Sequence, residues 1–166
     1  MILAVDVDYR DQEAIVAGIL FHNWTDEKPL REYLISCQVS DDYMPGQFFR
    51  RELPCIGELL THVNTELECI IIDGFVHLGK EKKPGLGMHL WDMLEQKVVV
   101  IGVAKSPFIN TPKSCELLRG KSKTPLYVTA EGIKQERAKL LIRNMHGENR
   151  LPTLLKLVDR LCRTTK

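Results

Sequence analysis

Four charged side chains stand beside strongly apolar stretches of the sequence. Asp6 lies inside the run Leu-Ala-Val-Asp-Val, and Asp73 directly follows Ile-Ile-Ile. Lys105 follows a second apolar run, and Asp159 borders the apolar stripe of a predicted carboxyl-terminal helix. Buried charges need partners or metals, and carboxylate oxygens suit hard divalent cations. Because a nearby lysine neutralises charge that develops at phosphorus, the grouping indicates metal-dependent hydrolysis of a phosphodiester.

Each of these residues also has a purely structural explanation. An aspartate at the end of a strand is often a cap or turn residue. Asp159 can simply border its apolar stripe, and Lys105 can be a surface lysine in a loop. Two aspartates at the ends of neighbouring central strands are harder to explain in this way, because α/β proteins build their sites at that edge of the sheet.

Composition excludes several classes of protein. The chain has 166 residues, of which 44% are hydrophobic and 27% charged, and we expect a single domain over residues 1–166. Its formal charge of +1 means that a nucleic-acid partner would have to be recognised by local basic patches. Apolar runs are too short for a membrane helix and the amino terminus does not resemble a signal peptide, so we expect a cytoplasmic protein without membrane association. We also expect a monomer.

The cysteines predict neither a disulfide framework nor a zinc site. Their number is odd and no Cys-x-x-Cys pair occurs. We therefore expect reduced, mostly buried thiols at Cys37, Cys55, Cys69, Cys115 and Cys162.

The apolar pattern predicts an α/β fold built on a mixed sheet. Three segments (2–7, 14–21 and 32–39) alternate with turn signals and predict an antiparallel meander. Two β-branched runs, 68–72 and 98–103, are typical of parallel strands buried on both faces. A right-handed crossover is expected to join them.

Helices are expected on both faces of this sheet. Proline interrupts helices, so Pro54 predicts two short pieces within residues 45–62. Further elements are predicted as helices at 89–96, 133–145 and 152–162, and as a short strand at 126–128.

A series of motifs gives the chain a family resemblance. They are Asp-Val-Asp-Tyr from Asp6, Tyr-Met-Pro-Gly from Tyr43, Arg-Arg-Glu-Leu-Pro from Arg50, Ile-Asp-Gly from Ile72, Ile-Gly-Val-Ala-Lys-Ser from Ile101 and Arg-Leu-Pro from Arg150. In this order and spacing they resemble the endonuclease V family, which comprises deoxyinosine- or inosine-directed nucleases with a ribonuclease-H-like fold. The resemblance extends over almost the whole chain.

The resemblance implies a role for each charged residue. Asp6, Glu52, Asp73 and Asp159 would hold one or two Mg²⁺ ions, with Mn²⁺ as the usual substitute. Lys105 would support the nucleophile or stabilise charge in the transition state. The implied reaction is cleavage of DNA or RNA on the 3′ side of a deaminated purine, a reaction of nucleic-acid repair. Nothing in the sequence selects DNA over RNA, because no residue predicts a contact with the 2′-hydroxyl group.

The resemblance also implies substrate-binding residues. Tyr43, Met44 and Pro45 would form a wedge that fills the gap left by an extruded base. Gly74 and His77 would lie at the pocket for that base. Basic runs at 50–51, 80–83 and 119–123, and along the last helix, are candidates for contacts with phosphates.

Departures from the family pattern concentrate in the loop after Asp73. Val76 replaces a second glycine and is expected to narrow or reshape the base pocket. Gly79 stands where the family carries a histidine, and His77 is the nearest substitute. Two alternatives therefore stay open: a nucleic-acid-binding module of the same fold without activity, and a nuclease for structured nucleic acid without inosine specificity.

Overall fold

A seven-stranded mixed sheet forms the centre of the protein. The computed structural model describes residues 1–10, 12–39 and 49–164. Its strands are β1 (Ile2–Arg10), β2 (Glu13–Phe21), β3 (Arg31–Gln38), β4 (Cys69–Asp73), β5 (His77–Leu78), β6 (Lys83–Pro84), β7 (Val99–Ala104), β8 (Glu116–Leu117) and β9 (Leu126–Glu131). The order across the sheet is β3-β2-β1-β4-β7-β9-β8, while β5 and β6 pair separately. β1, β4 and β7 run parallel, and the other neighbours are antiparallel.

Helices cover both faces of the sheet, which confirms the predicted fold class. They are α1 (Phe49–Thr61), α2 (Leu86–Met93), α3 (Gln135–Arg143) and α4 (Thr153–Thr164), with a short 3₁₀ helix at Lys113–Cys115. Side chains alternate along a strand, so β4 serves two cores: Ile71 packs with α3 and α4, whereas Ile70 and Ile72 pack with α1 and α2. No helix in the described ranges is long and apolar enough to cross a membrane.

The prediction that Pro54 divides a helical segment in two is wrong. α1 is continuous, with Pro54 inside it. The proline removes only the N–H group that would bond to the carbonyl of Arg50, and that residue is exposed to solvent. Three residues of α1 are buried against the sheet, Cys55, Ile56 and Leu59. Burial of one such apolar side chain contributes about 1.5–3 kcal/mol, so together they outweigh a proline cost of about 3 kcal/mol.

Smaller differences from the predicted elements have local causes. α2 extends from Leu86 to Met93, so it begins and ends earlier than the predicted helix at 89–96. Its end is early because the chain leaves the helical conformation at Glu95 and Gln96, whose φ angles are 55° and 62°. The two-residue strands β5, β6 and β8 were not predicted, since so few residues carry no periodic signal. All five cysteines are free and buried, as expected.

A backbone strap, residues 74–77, lies directly on β7. A Cβ atom at Gly102 would come within 2.5 Å of the carbonyl oxygen of Gly74 and 2.9 Å of the amide nitrogen of Val76. The Val76 amide also donates a hydrogen bond of 2.8 Å to Oγ1 of Thr129, on the neighbouring strand β9. Only glycine at position 102 permits this close approach of two backbones, and the approach sets the path of the chain after Asp73.

We expect Gly102→Val to lower the free energy of unfolding by roughly 1 to 3 kcal/mol, because the added side chain would push against backbone atoms that cannot rotate away. Gly57→Ala is the matched control. An added Cβ at that position of α1 would meet only the Met93 side chain at 3.7 Å, and alanine favours helix. Urea denaturation measures both variants, and equal stability of the two would contradict the strap packing.

Candidate active site

Three aspartates meet at the carboxyl edge of the parallel strands. Asp6 lies in β1, Asp73 is the last residue of β4, and Asp159 lies on α4. Pairing of Val5 with Ile72 in the β1–β4 register puts the first two acids side by side. α4 packs against β1 and β2 and so brings the third. One oxygen of each carboxylate lies within 4.8 Å of the others.

The ammonium group of Lys105 bridges two of these acids. Lys105 follows β7 directly, and its Nζ lies 2.7 Å from Oδ2 of Asp73 and 2.6 Å from Oδ1 of Asp159. A second cation, Arg163, lies one turn further along α4 with its Nη2 at 3.2 Å from the same Asp159 oxygen. These are charge-assisted hydrogen bonds, the strong kind, so the lysine is held at the centre of the acid cluster.

Asp6 is the most buried member of the cluster, with only 7% of its surface exposed. Its Oδ1 accepts a 2.8 Å hydrogen bond from the Val7 amide. Its Oδ2 is buried and has no hydrogen-bond partner among the residues described. Burial first, and then the Asp73 charge, raise the pKa of Asp6 to about 6. A buried oxygen without a partner is rare in native proteins, and this one belongs to an acid of the cluster whose carboxylates could together hold a cation.

Glu52 extends the acidic site from the side of α1. It lies outside the compact group of three, yet it lines a cavity of about 110 Å³ together with Asp6, Asp73 and Arg163. Burial, followed by the charges of Asp6 and Asp73, raises the pKa of Glu52 to about 7. The structure therefore brings all four sequence-predicted acids to one place.

The contact between Lys105 and Asp159 stabilises the charged form of both groups. Burial lowers the pKa of Lys105, but hydrogen bonds to Asp159 and Asp73 outweigh it, and the net pKa is raised. Burial raises the pKa of Asp159, but the hydrogen bond and charge of Lys105, together with the charge of Arg163, hold it below its ordinary value. The environment thus distinguishes Asp159, whose charged form is stabilised by Lys105 and Arg163, from the buried Asp6 and the half-buried Glu52, whose protonated forms are favoured.

An apolar pocket of about 290 Å³ opens beside the acids and shares Glu52 and Asp73 with them. Its other walls are mostly apolar or backbone: Phe49, Gly74, Phe75, Leu78, Pro84, Gly85, Leu86 and Phe108. The Phe49 ring stacks on His89, with 3.8 Å between ring centroids and planes 18° apart. Sequence patterns did not single out Leu78 or Phe108 as pocket residues. The available signal was an aromatic residue in a loop three positions after the lysine.

The residues predicted to bind substrate do not all lie at one place in the structure. Gly74 lines the apolar pocket, at a φ of 137° and with open space where a side chain would stand. His77 does not join the acids; its Nε2 lies 2.7 Å from Oε2 of Glu131, and both line a separate cavity of about 230 Å³. Tyr43, Met44 and Pro45 lie outside the described residues.

Val76 does not line the apolar pocket. Its side chain is fully buried, and its Cγ2 would lie 2.6 Å from a Cβ at Gly87 of α2. The strap directs the Val76 side chain into the core, because the Val76 amide donates a hydrogen bond to Thr129 on the sheet. The wall of the pocket is formed instead by Gly74 and Phe75, on the other part of the strap.

Arg119 is not free to contact phosphates, although it belongs to a predicted basic run. It is 5% exposed, and its guanidinium donates to the carbonyl oxygens of Arg143, Met145 and Asn149. A local charge pattern does not reveal that the turn between α3 and α4 folds around this side chain. In another predicted basic run, residues 80–83, the side chains of Lys80, Lys82 and Lys83 are exposed to solvent.

The fold and the site together define an α/β protein with an acidic, lysine-containing centre suited to phosphoryl transfer. The sequence profile of the Endonuclease V family matches residues 1–151, and the chain belongs to that family. This membership makes it a nuclease. The search of curated proteins returns no significant match.

Solved structures show the same fold. Endonuclease V of Streptomyces avermitilis is 24% identical, with a TM-score of 0.77 over 98% of this chain and 79% of that one. Human ENDOV is 18% identical, with a TM-score of 0.77 over 98% of this chain and 82% of that one. Ciona intestinalis endonuclease V is 18% identical, with a TM-score of 0.78 over 98% of this chain and 84% of that one. It was solved in complex with a 24-mer DNA that contains an inosine followed by a ribo-adenosine. These similarities confirm the mixed α/β fold.

We expect the free energy of unfolding, measured with a chelator present, to fall by roughly 2 to 4 kcal/mol between pH 5 and pH 8. Folding raises the pKa of Asp6 from 3.8 to about 6 and that of Glu52 from 4.5 to about 7. The folded state therefore holds protons that the unfolded chain has released. This stabilisation is complete at pH values below the pKa values of the unfolded chain. It is lost as the pH rises through the pKa values of the folded state.

Urea denaturation at several pH values measures this slope, and Asp6→Asn identifies its source. The variant should be more stable than the wild type at pH 8 and should show a shallower pH dependence. Asp92→Asn, at an exposed position of α2, is the control and should keep the wild-type slope. A wild-type stability that rises over this pH range would contradict the burial of protonated acids.

Proposed function

We propose that the protein is a divalent-cation-dependent endonuclease that hydrolyses a phosphodiester bond on the 3′ side of a deaminated purine in DNA or RNA. The observation that carries this proposal is the cluster of Asp6, Asp73 and Asp159 with Lys105 at its centre, beside a pocket of the size of a base. Membership of the endonuclease V family and the inosine-containing DNA bound to the Ciona relative support the choice of substrate.

The donor set fits a hard divalent cation. Three carboxylate oxygens within 4.8 Å of one another can share one ion, and Oδ2 of Asp6 is buried without a partner among the described groups. Oxygen-only donors suit Mg²⁺, with Mn²⁺ as substitute. Asp6, Asp73 and Asp159 would hold the ion, with Glu52 as a further ligand from the cavity wall. A bound cation would supply Lewis-acid stabilisation of the charge that develops on the phosphate oxygens.

Lys105 supplies the fixed positive charge of the site. Its two aspartate partners keep Nζ protonated and point it at the edge of the sheet where a phosphate must lie to meet the acids. From this place Nζ can donate a hydrogen bond to an oxygen of the reacting phosphate, which is where negative charge grows during hydrolysis. Because the ammonium group is already in position, little reorganisation is needed when the reaction occurs.

The apolar pocket receives the extruded base. Its volume of about 290 Å³ and its walls, which include Leu78 and Phe108, suit a flat ring. Asp73 and Glu52 also line the pocket, so a base bound there would place its adjoining phosphate near the acids. Enzymes that act at one base commonly take it out of the stack into such a pocket. In this proposal Tyr43, Met44 and Pro45 fill the gap left in the stack. The proposed enzyme acts as a monomer in DNA or RNA repair.

We expect Asp73→Ala to reduce cleavage of an inosine-containing oligonucleotide at least 100-fold, on the order of the loss seen when a catalytic group is removed. Asp73 contacts Lys105, lies in the acid cluster and lines the base pocket, so its loss affects all three. Gel assays with Mg²⁺ or Mn²⁺, on inosine-containing DNA and RNA, measure the rate. The exposed Asp92→Asn variant is the control and should cleave at the wild-type rate.

The same assay separates the alternatives. Unmodified flaps, loops and mismatches serve as competing substrates. If the wild type cleaves them as fast as inosine-containing strands, the specificity for deaminated purines is wrong. If it binds nucleic acid without cleaving any substrate, the protein is a binding module and the proposed reaction is wrong.

We expect Phe108→Ala to lower kcat/KM for inosine-containing strands about tenfold, since stacking of a base on an aromatic ring contributes roughly 1–3 kcal/mol. Mn²⁺ affinity, measured by calorimetry, should be unchanged because the Phe108 side chain offers no ligand atom for a cation. Leu118→Ala is the matched control: Leu118 is 60% exposed, against 45% for Phe108, and lines none of the pockets described. Equal activity of the two variants would remove Phe108 from the base pocket.

A further inference from the structure

Arg150 joins three segments that surround the lysine of the active site. Its Nη2 donates hydrogen bonds to the carbonyl oxygen of Lys105 and, at 2.7 Å, to that of Pro125. Lys105 directly follows β7, Pro125 directly precedes β9, and Arg150 itself lies just before α4, the helix that carries Asp159. Nη2 has two hydrogens, and the two carbonyl groups use both.

These contacts fix Lys105 at both ends. Its main-chain carbonyl is held by Arg150, and its Nζ is held by Asp73 and Asp159. The methylene chain between them lies at a cavity of only about 20 Å³, whose walls include Leu151, the residue next to Arg150. Arg150 therefore controls where the lysine side chain begins and what covers it.

We propose that Arg150 is a positioning residue that keeps the ammonium group of Lys105 between Asp73 and Asp159 by holding the Lys105 main chain in register with α4. The inference rests on the proposed function only for the importance of Lys105 to catalysis. Arg150 donates both Nη2 hydrogens to main-chain carbonyls, one of them that of Lys105, so in this proposal it acts on the reaction through Lys105.

Physical considerations support a positioning role over general stabilisation. A lysine side chain has four flexible methylene groups, and ordering it costs up to about 2 kcal/mol of rotamer entropy. Two acceptors at its tip hold it in one place only if its main chain does not move. Without Arg150, the Lys105 and Pro125 carbonyls would lose a partly buried donor, and the loop after β7 could shift toward water to satisfy them.

The test measures how readily the Lys105 amine reacts in protein free of metal and nucleic acid. An acetylating reagent modifies lysines, and mass spectrometry of peptides gives the rate at each position. In the wild type we expect Lys105 to be protected. Arg150→Ala should raise its rate about tenfold, the factor that corresponds to one lost hydrogen bond of ordinary strength. Arg150→Lys, which retains a cationic donor, should give an intermediate rate.

Two controls distinguish positioning from loss of the fold. Lys134 is exposed, and its rate within the same samples should not change. Lys139→Met removes another cation that donates to a main-chain carbonyl, that of Ser114 at 2.9 Å, and should leave Lys105 protected. If Arg150→Ala does not fold, the comparison of Arg150→Lys with Arg150→Gln decides, with Lys105 expected to react faster in the glutamine variant.

Unchanged reactivity of Lys105 in a folded Arg150→Ala or Arg150→Gln variant would overturn the proposal, as would an equal rise at Lys105 and Lys134. Cleavage assays add an independent readout: kcat should fall while KM for the oligonucleotide stays the same, and Arg150→Lys should recover part of the rate. Since acetylation needs no substrate, a failure of the proposed nuclease function would leave this test intact.

Discussion

The ammonium group of Lys105 lies between two aspartates at the edge of the sheet, and the site depends on this pair of ionic contacts. Two like charges about 4 Å apart repel by roughly 4 kcal/mol at the effective dielectric near a protein surface. Lys105 offsets that repulsion for Asp73 and Asp159. Asp6 is buried, Glu52 is half-buried, and neither forms an ion pair among the described residues, so loss of solvent raises both pKa values. This cost in stability is of the kind that functional sites carry, and under the proposed function the same acids would bind a cation.

The sheet explains how these charges meet. β1, β4 and β7 run parallel, so Asp6, Asp73 and Lys105 arrive at one edge from three neighbouring strands. α4 then crosses the face formed by β1 and β2 and adds Asp159. The apolar pocket arises on the other face, because Gly102 allows the strap after Asp73 to lie on β7. Acid cluster and pocket thus share Asp73, the residue at which strand and strap meet.

Local patterns predicted much of this arrangement. Continuous β-branched runs identified the buried parallel strands, and charged residues placed beside those runs identified the acids and the lysine. Prediction failed where a residue's environment is made by distant segments. Pro54 is tolerated because α1 buries three apolar residues against the sheet, Arg119 is enclosed by a turn that follows α3, and Val76 enters the core because Thr129 holds its amide. The neighbours of these residues in the sequence carry no sign of such contacts.

The sequence by itself determined the longer strands and most of the helices, the charged groups that stand beside apolar runs, and the family to which the motifs belong, because these properties depend on residue types and their spacing. Only the tertiary structure decided that three carboxylate oxygens lie within 4.8 Å, that Lys105 bridges two of the acids, and that Phe108 and Leu78 enclose a pocket beside them. Distance and burial result from packing between segments far apart in the chain. They set the pKa values and the shape of the pocket, and these in turn set the chemistry.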